Sequence, residues 1–282
     1  RVILGCGPGA LASDALMLGI KPERQRAMME ESLDAIMRLM SSTEPYTVKT
    51  DWFEMNDAVL QLRPYQDPIV PVAVASVESP AGVTLAGKHG ASVLSLSVPR
   101  DTIRKTSLAE LWSIAEETAA EHGKKMHRED WGIVMGMHLA ESKEQAFKDI
   151  RQGSGNIVTE YFGETLGNPV PDVPRDQIVD YMVDHNQWIV GTPDDCIAGI
   201  ERLQEISGGF GKFMIRVEDW APRDKIHRSY ELLARYVMPH FQGSVQGIEI
   251  SRDWASERRE ALQANRYVGI KAATDRFDAG RK

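Results

Sequence analysis

Val70-Pro-Val-Ala-Val-Ala-Ser-Val-Glu-Ser-Pro-Ala-Gly-Val-Thr-Leu-Ala-Gly-Lys-His-Gly-Ala-Ser-Val-Leu-Ser-Leu-Ser97 is the stretch that decides how this chain folds. Val72 and Val74, then Val93 and Leu94, form two short apolar runs with β-branched residues, the pattern of parallel strands covered on both faces. Between them, Glu78-Ser79-Pro80-Ala81-Gly82 reads as a polar loop opening a helix, with Ser79 as its cap and Pro80 in its first position. A helix that starts there offers free backbone N–H groups and the positive end of its dipole to an anion. After a parallel strand that anion is often a cofactor phosphate. The same residues also describe an ordinary capped turn between a strand and a helix.

Working outward, a strand over 2–6 runs into Gly7-Pro8-Gly9-Ala10, a turn that lets the backbone approach a ligand closely. Met28, Met29, Leu33, Ile36 and Met37 lie near helical spacing and predict a helix over 22–40. Residues 44–68 read as an excursion whose Tyr46, Trp52, Phe53 and Tyr65 supply aromatic cover. Downstream, helices are expected over 107–122 and 141–150, with a strand over 131–139 between them. Residues 152–176, rich in Gly, Asn and Pro, are too long for a simple connector and are expected to form a mobile lid or insertion. Gly191-Thr192-Pro193-Asp194-Asp195 opens a helix to about Ile206, Lys212 to Val217 form a strand, and a helix over Arg223 to Met238 closes the pattern. The expected organisation is one barrel part over 1–242 and a charged helical tail over 243–282, the tail serving as an arm or a partner contact.

Strands alternating with helices mean a parallel α/β fold. Core strands near residues 3, 73, 95, 135 and 215 suit a doubly wound sheet or the last five strands of an eight-stranded barrel. The chain opens with Arg1 already inside a strand, so it is expected to be the C-terminal part of a longer protein.

At 282 residues the chain can bury one large core or two small ones, and 42% hydrophobic with 26% charged residues is ordinary globular composition. A formal net charge of −8 argues against a nucleic-acid surface and against anionic membranes. No apolar run approaches the roughly 18 residues that span a bilayer. Cys6 and Cys196 have neither metal-ligand spacing nor the density of a secreted scaffold, which makes the cytoplasm the expected compartment. No histidine triplet has metal spacing, so no metal is expected.

Four stretches carry a family resemblance: Arg1-Val-Ile-Leu-Gly-Cys-Gly-Pro-Gly9, Arg24-Gln-Arg-Ala-Met-Met-Glu-Glu-Ser-Leu33, Val72-Ala-Val-Ala-Ser-Val-Glu-Ser-Pro-Ala-Gly82, and Ile189-Val-Gly-Thr-Pro-Asp-Asp195 running on to Phe213-Met-Ile-Arg-Val-Glu218. In this order and spacing they resemble the bacterial luciferase-like flavin-dependent monooxygenases, nearest the subgroup with limonene and diketocamphane monooxygenases. The resemblance implies a (β/α)8 TIM barrel with Arg1 at the fourth strand, so that about five of eight core strands are present and on the order of 100 residues precede them. It further implies an FMNH2-dependent monooxygenase that inserts one atom of O2 into a small apolar ketone or terpene-like substrate through a C4a-peroxyflavin. A separate NAD(P)H:flavin reductase would supply the reduced flavin, because no Gly-x-Gly-x-x-Gly fingerprint follows a strand here. A homodimer is also implied.

By the same resemblance, the FMN phosphate would meet the loop of Glu78, Ser79 and Gly82 after Ser76, together with Arg26 on the preceding helix. Arg26 offers a planar fork of donors, Ser79 a hydroxyl, Gly82 close backbone approach, and Glu78 only its N–H. Arg26 can equally be a helix arginine paired with Glu23 or Glu30. Gly9 and Ala10 match the turn that faces the flavin, although Pro8 stands where luciferases carry a phosphate-binding arginine. The catalytic histidine of luciferases would fall upstream of Arg1. His138, at the end of a core strand, is the candidate catalytic residue here, and a hydrogen-bonded core histidine is the alternative. Glu218, Asp219 and Trp220 end the last strand, where they could meet flavin or substrate or serve structure alone. Two other functions remain open: a deazaflavin-dependent hydride-transfer enzyme of the same superfamily, and a non-catalytic barrel fragment with open strand edges.

Overall fold

The computed structural model describes residues 2–76, 80–97 and 106–281. Its centre is the unit read from the 70–97 stretch: strand β4 (Val72–Ser76), helix α3 (Ala81–His89) and strand β5 (Ser92–Leu96). The earlier elements are β1 (Leu4–Cys6), α1 (Ala12–Met17), α2 (Gln25–Ser41) and the hairpin strands β2 (Tyr46–Lys49) and β3 (Glu54–Ala58). After β5 come α4 (Leu108–Glu121), β6 (Gly132–Leu139), α5 (Lys143–Asn156), α6 (Ile178–Asp184), β7 (Trp188–Gly191), α7 (Pro193–Ser207), β8 (Lys212–Arg216) and α8 (Arg223–Leu232).

Parallel pairing runs β1-β4-β5-β6-β7, with β8 paired to β6. Val72, Ala73 and Val74 of β4 and Val93 of β5 are buried, as the continuous apolar runs require. α3 lies tightly on this layer because its contact face is small: a Cβ on Gly82 would sit 2.5 Å from the Ala75 carbonyl oxygen, and one on Gly87 2.5 Å from that of Ala115 on α4. Ser107 caps α4 by accepting the Glu110 N–H at 3.1 Å, and Thr192 with Asp195 forms a capping box at the start of α7.

The five expected core strands are all present, and the fold is parallel α/β. Among the described residues the strands form an open parallel sheet that does not close into a barrel. β6 shows why local patterning missed part of the topology. Gly132, Ile133 and Val134 pair with β5 on one edge while Gly132–Gly136 pair with β8 on the other. From Gly136 to Leu139 the strand pairs instead with β7, which takes over the edge that β5 vacates. Gly136 is the residue shared by both pairings, and a Cβ there would lie 2.7 Å from the Trp188 ring.

The stretch 152–176, expected as a mobile lid or insertion, is largely helical. α5 runs to Asn156 and continues as a π-helical segment, Ile157–Thr165. Gly153 and Gly155 serve close packing here: a Cβ on Gly153 would collide with the backbone of Trp220, and one on Gly155 would lie 2.6 Å from Arg175. This region has its own core, in which Ile150, Val158, Ile178, Met182, Trp188 and Trp220 meet. Trp188 and Trp220 pack edge to face with centroids 4.9 Å apart.

The chain divides into two units, Arg1–Ser229 and Tyr230–Lys282. The second unit holds a short π-helical turn (Leu233–Val237) and helices α9 (Met238–Gln242), α10 (Gln246–Glu257) and α11 (Arg259–Ala279), the last two with no buried residue. Among the described residues no helix is long and apolar enough to cross a membrane.

Candidate active site

A cavity of about 1400 Å³ opens where β1, β4 and β8 end. The turn after β1 brings Gly7, Pro8, Gly9 and Ala10 to its wall. Gly9 has φ +88°, and a Cβ there would also press on the Gln25 amide at 3.3 Å, so glycine is the residue this turn requires. Ser76 and Gly82 line the cavity where β4 passes into α3, and Arg26 enters it from the first turn of α2. Arg216, Val217 and Glu218 arrive from the end of β8.

Of the expected residues, Arg26, Ser76, Gly82, Gly9 and Ala10 therefore share one cavity. Glu78 and Ser79 lie outside the described residues. Arg26 forms no ion pair among the described residues, and the pairing with Glu30 considered from sequence is pre-empted. Lys88 holds Glu30 at 3.0 Å and Asp34 at 2.8 Å. Burial works to lower the Lys88 pKa, but those carboxylates more than offset it and raise it on balance.

His138 lies elsewhere. It is absent from the cavity lining, because it sits on the half of β6 that turns toward β7. Its ring is 1% exposed, with Nε2 3.5 Å from Asp149 on α5 and Nδ1 without a hydrogen-bond partner among the described residues. Burial lowers its pKa and Asp149 opposes that in part, so the imidazole is held neutral. His122, at the C-terminal end of α4, lines the cavity. Its Nδ1 lies 3.0 Å from the Thr118 carbonyl oxygen, which can only accept, so that nitrogen carries the proton.

Sequence reasoning missed the far wall. Tyr161 and Phe162 of the π-helical segment, with Leu166 and Asn168 beyond it, line the cavity. The two rings meet edge to face at 5.2 Å, and the Arg216 guanidinium lies over Phe162 at 5.2 Å while ion-paired to Glu218. A signal existed: Ala146, Ile150, Ser154, Val158 and Phe162 recur every fourth residue and carry the α5 face straight through the glycines.

The cavity thus joins a wall of small residues and an arginine with no ion pair among the described residues to an aromatic wall whose Arg216 and Glu218 are ion-paired to each other. Residues 1–208 match the family model of the luciferase-like monooxygenases. The chain belongs to the luciferase-like monooxygenase family. It is 42% identical to a 4-hydroxyprotoasukamycin monooxygenase of Streptomyces nodosus subsp. asukaensis over 94% of this chain and 72% of that protein. It is 43% identical to a limonene 1,2-monooxygenase of Rhodococcus erythropolis over 87% of this chain and 62% of that protein. Among solved structures, the oxygenating constituent of 3,6-diketocamphane monooxygenase from Pseudomonas putida, in complex with FMN, shares the fold. Its TM-score is 0.65 at 21% identity, over 84% of this chain and 70% of that one.

Proposed function

We infer that this chain is the oxygenating component of a reduced-FMN-dependent monooxygenase acting on a small, largely apolar organic molecule, with reduced flavin delivered by a separate reductase and the protein working as a homodimer. The observation that carries this reading is the Arg26 guanidinium, which has no ion pair among the described residues, in the same cavity as the Gly7–Ala10 turn, Ser76 and Gly82. These residues fit FMN. Arg26 can hold two phosphate oxygens at once, the Ser76 hydroxyl can donate or accept, and the side-chain-free backbone at Gly9 and Gly82 leaves room for a flat ring system. FMN is the ligand of the Pseudomonas putida protein, and two monooxygenases stand above 40% identity to this chain.

Bound reduced FMN would supply two electrons to dioxygen, one oxygen atom entering the substrate and the other leaving as water. The chain's own residues bind and orient. Arg26 would fix the phosphate end, the Gly9–Ala10 turn would leave room for the ring system, and the aromatic wall would keep water from the reacting face. His138 has no part in this scheme, since it does not reach the cavity.

An anaerobic titration with reduced FMN, run beside reduced deazaflavin, tests the reading. Saturable binding of reduced FMN, followed by oxygen consumption when air is admitted, is expected. Tighter binding of the deazaflavin would move the chain to hydride transfer, and binding of neither would sink the proposal.

A further inference from the structure

The cavity is larger than one cofactor needs. Ligand pockets usually enclose about 300–1,000 Å³, and this one encloses about 1400 Å³. Its two ends differ in chemistry. Arg26 and the glycine turn suit an anion with a planar ring, whereas the far end is Tyr161, Phe162, Leu166 and Val217. Among the described residues the charged side chains at that far end, Arg216 and Glu218, are ion-paired to each other, so the surface they present is close to neutral. Asn168, also in the lining, makes no side-chain hydrogen bond among the described residues and can offer one to a carbonyl or hydroxyl oxygen.

The segment bearing the aromatic pair is also built to hold position. Its backbone is wound as a π-helix, with the Leu166 N–H donating to the Tyr161 carbonyl oxygen at 3.0 Å, and single π turns recur at functional sites. Val158 anchors it in the core around Ile150, Ile178 and Trp188. Arg175 ties it from outside, donating to Glu160 at 3.0 Å and to Asn156 at 3.2 Å. The Asn168 N–H closes the turn on the Phe162 carbonyl oxygen at 2.9 Å. Phe162 itself is held by the Arg216 guanidinium over its ring. Its ring has a support behind it and a partner at its edge, the arrangement of a side chain that sets shape rather than one that swings freely.

We propose that Tyr161, Phe162 and Leu166 form a second subsite of this cavity, for a neutral apolar molecule with at most one oxygen function, and that Phe162 determines which molecules fit. The proposal rests on the reduced-FMN reading for what the first subsite holds, but the second subsite binds its ligand whether or not flavin is present. Removing the Phe162 ring takes away an aromatic contact face and opens space, so compact ligands lose affinity while bulkier ones lose less or gain.

The test is calorimetric titration of the full chain, with and without anaerobic reduced FMN, using three neutral probes of graded size: camphor, limonene and a sesquiterpene hydrocarbon. Parent, Phe162→Ala, Phe162→Leu and Arg26→Ala are compared. Phe162→Ala should weaken the compact probes roughly tenfold, shift preference toward the sesquiterpene, and leave reduced-FMN affinity within about twofold. Phe162→Leu, which keeps an apolar side chain and spares the fold, should fall between parent and Phe162→Ala. Arg26→Ala should do the reverse, weakening flavin and sparing the probes. Failure of all three probes to bind the parent, or loss of flavin affinity with unchanged probe affinity in Phe162→Leu, would overturn the subsite. Loss of reduced-FMN binding in the parent with the probes still bound would instead overturn the cofactor reading alone.

Discussion

The two walls of the cavity are made by opposite means. Around β4 and α3 the wall is backbone, and its shape depends on side chains that are missing: at Gly82 a single carbon would meet the Ala75 carbonyl oxygen at 2.5 Å, and Ser76 at 3.0 Å. Around the π-helical segment the wall is made of rings, carried on a helix that a separate core holds in place. The first kind of wall suits a ligand that is always the same, since no atom can be added to it. The second can be recut by exchanging one side chain, which is what a family with varied substrates needs.

The contrast breaks most readily at Gly82. Overpacking against backbone costs about 1–3 kcal/mol, and the helix-propensity gain of Gly82→Ala returns at most about 1 kcal/mol. A net loss of about 1 kcal/mol in urea unfolding is therefore expected, together with weaker reduced-FMN binding. A variant as stable as the parent would show that α3 is free to lift off the sheet. Gly153→Ala puts the same question to the other wall. Its Cβ meets the backbone of Trp220, so a loss of about 1–2 kcal/mol is expected, with apolar-probe binding impaired and flavin binding kept. Loss of both would mean that the walls are not independently built.

Thr192→Ala should cost about 1 kcal/mol by removing the cap of α7. The Thr192 hydroxyl lies 2.8 Å from Asp195 Oδ2 and takes the Asp195 N–H at 3.3 Å. A lower melting temperature with unchanged affinity at both walls is expected, and changed affinity would tie α7 to the cavity. The smallest effect is on pH. Burial lowers the pKa of His138 in the ring-bearing region and of His89 at the end of α3, against the opposing pull of Asp149 and Asp34. Both are depressed below the ordinary 6.5, so the unfolded chain takes up protons first as pH falls. Their contribution is present above about pH 6.5 and declines below it. Stability should fall between pH 7 and 5, and His138→Gln should flatten that decline more than His89→Gln; no flattening in either would place the acid sensitivity elsewhere.

What could be read in the sequence was whatever rests on local chemistry. Val72 to Ser97 announced strand, helix and strand because short apolar runs and a proline-led helix start need no distant partner to be recognised. Pro80 proved to be the residue just before α3 rather than its first, a shift of one position. Thr192-Pro193 marked the start of α7 in the same way. What failed depended on distant partners. Gly153 and Gly155 looked like loop residues until Trp220 and Arg175 lay against them. The excursion over 44–68 holds a hairpin, β2 with β3, that its aromatic residues did not announce. His138 stands at the end of a core strand as expected, but β6 changes partner at Gly136 and carries it away from the cavity. Arg26 was legible as a candidate, and only the structure shows Glu30 engaged by Lys88.

The central claim is that Arg26 and the small-residue wall hold a flavin by its phosphate. It is tested most directly by comparing anaerobic binding of reduced FMN and reduced riboflavin, which lacks the phosphate, in the parent chain and in Arg26→Ala. A charge-assisted contact predicts at least about tenfold preference for FMN in the parent, close to 1.4 kcal/mol, and near-equal binding in the variant. The same preference in both proteins would contradict the account, because the phosphate would then be held elsewhere. No preference in either would mean that this cavity does not recognise the phosphate at all.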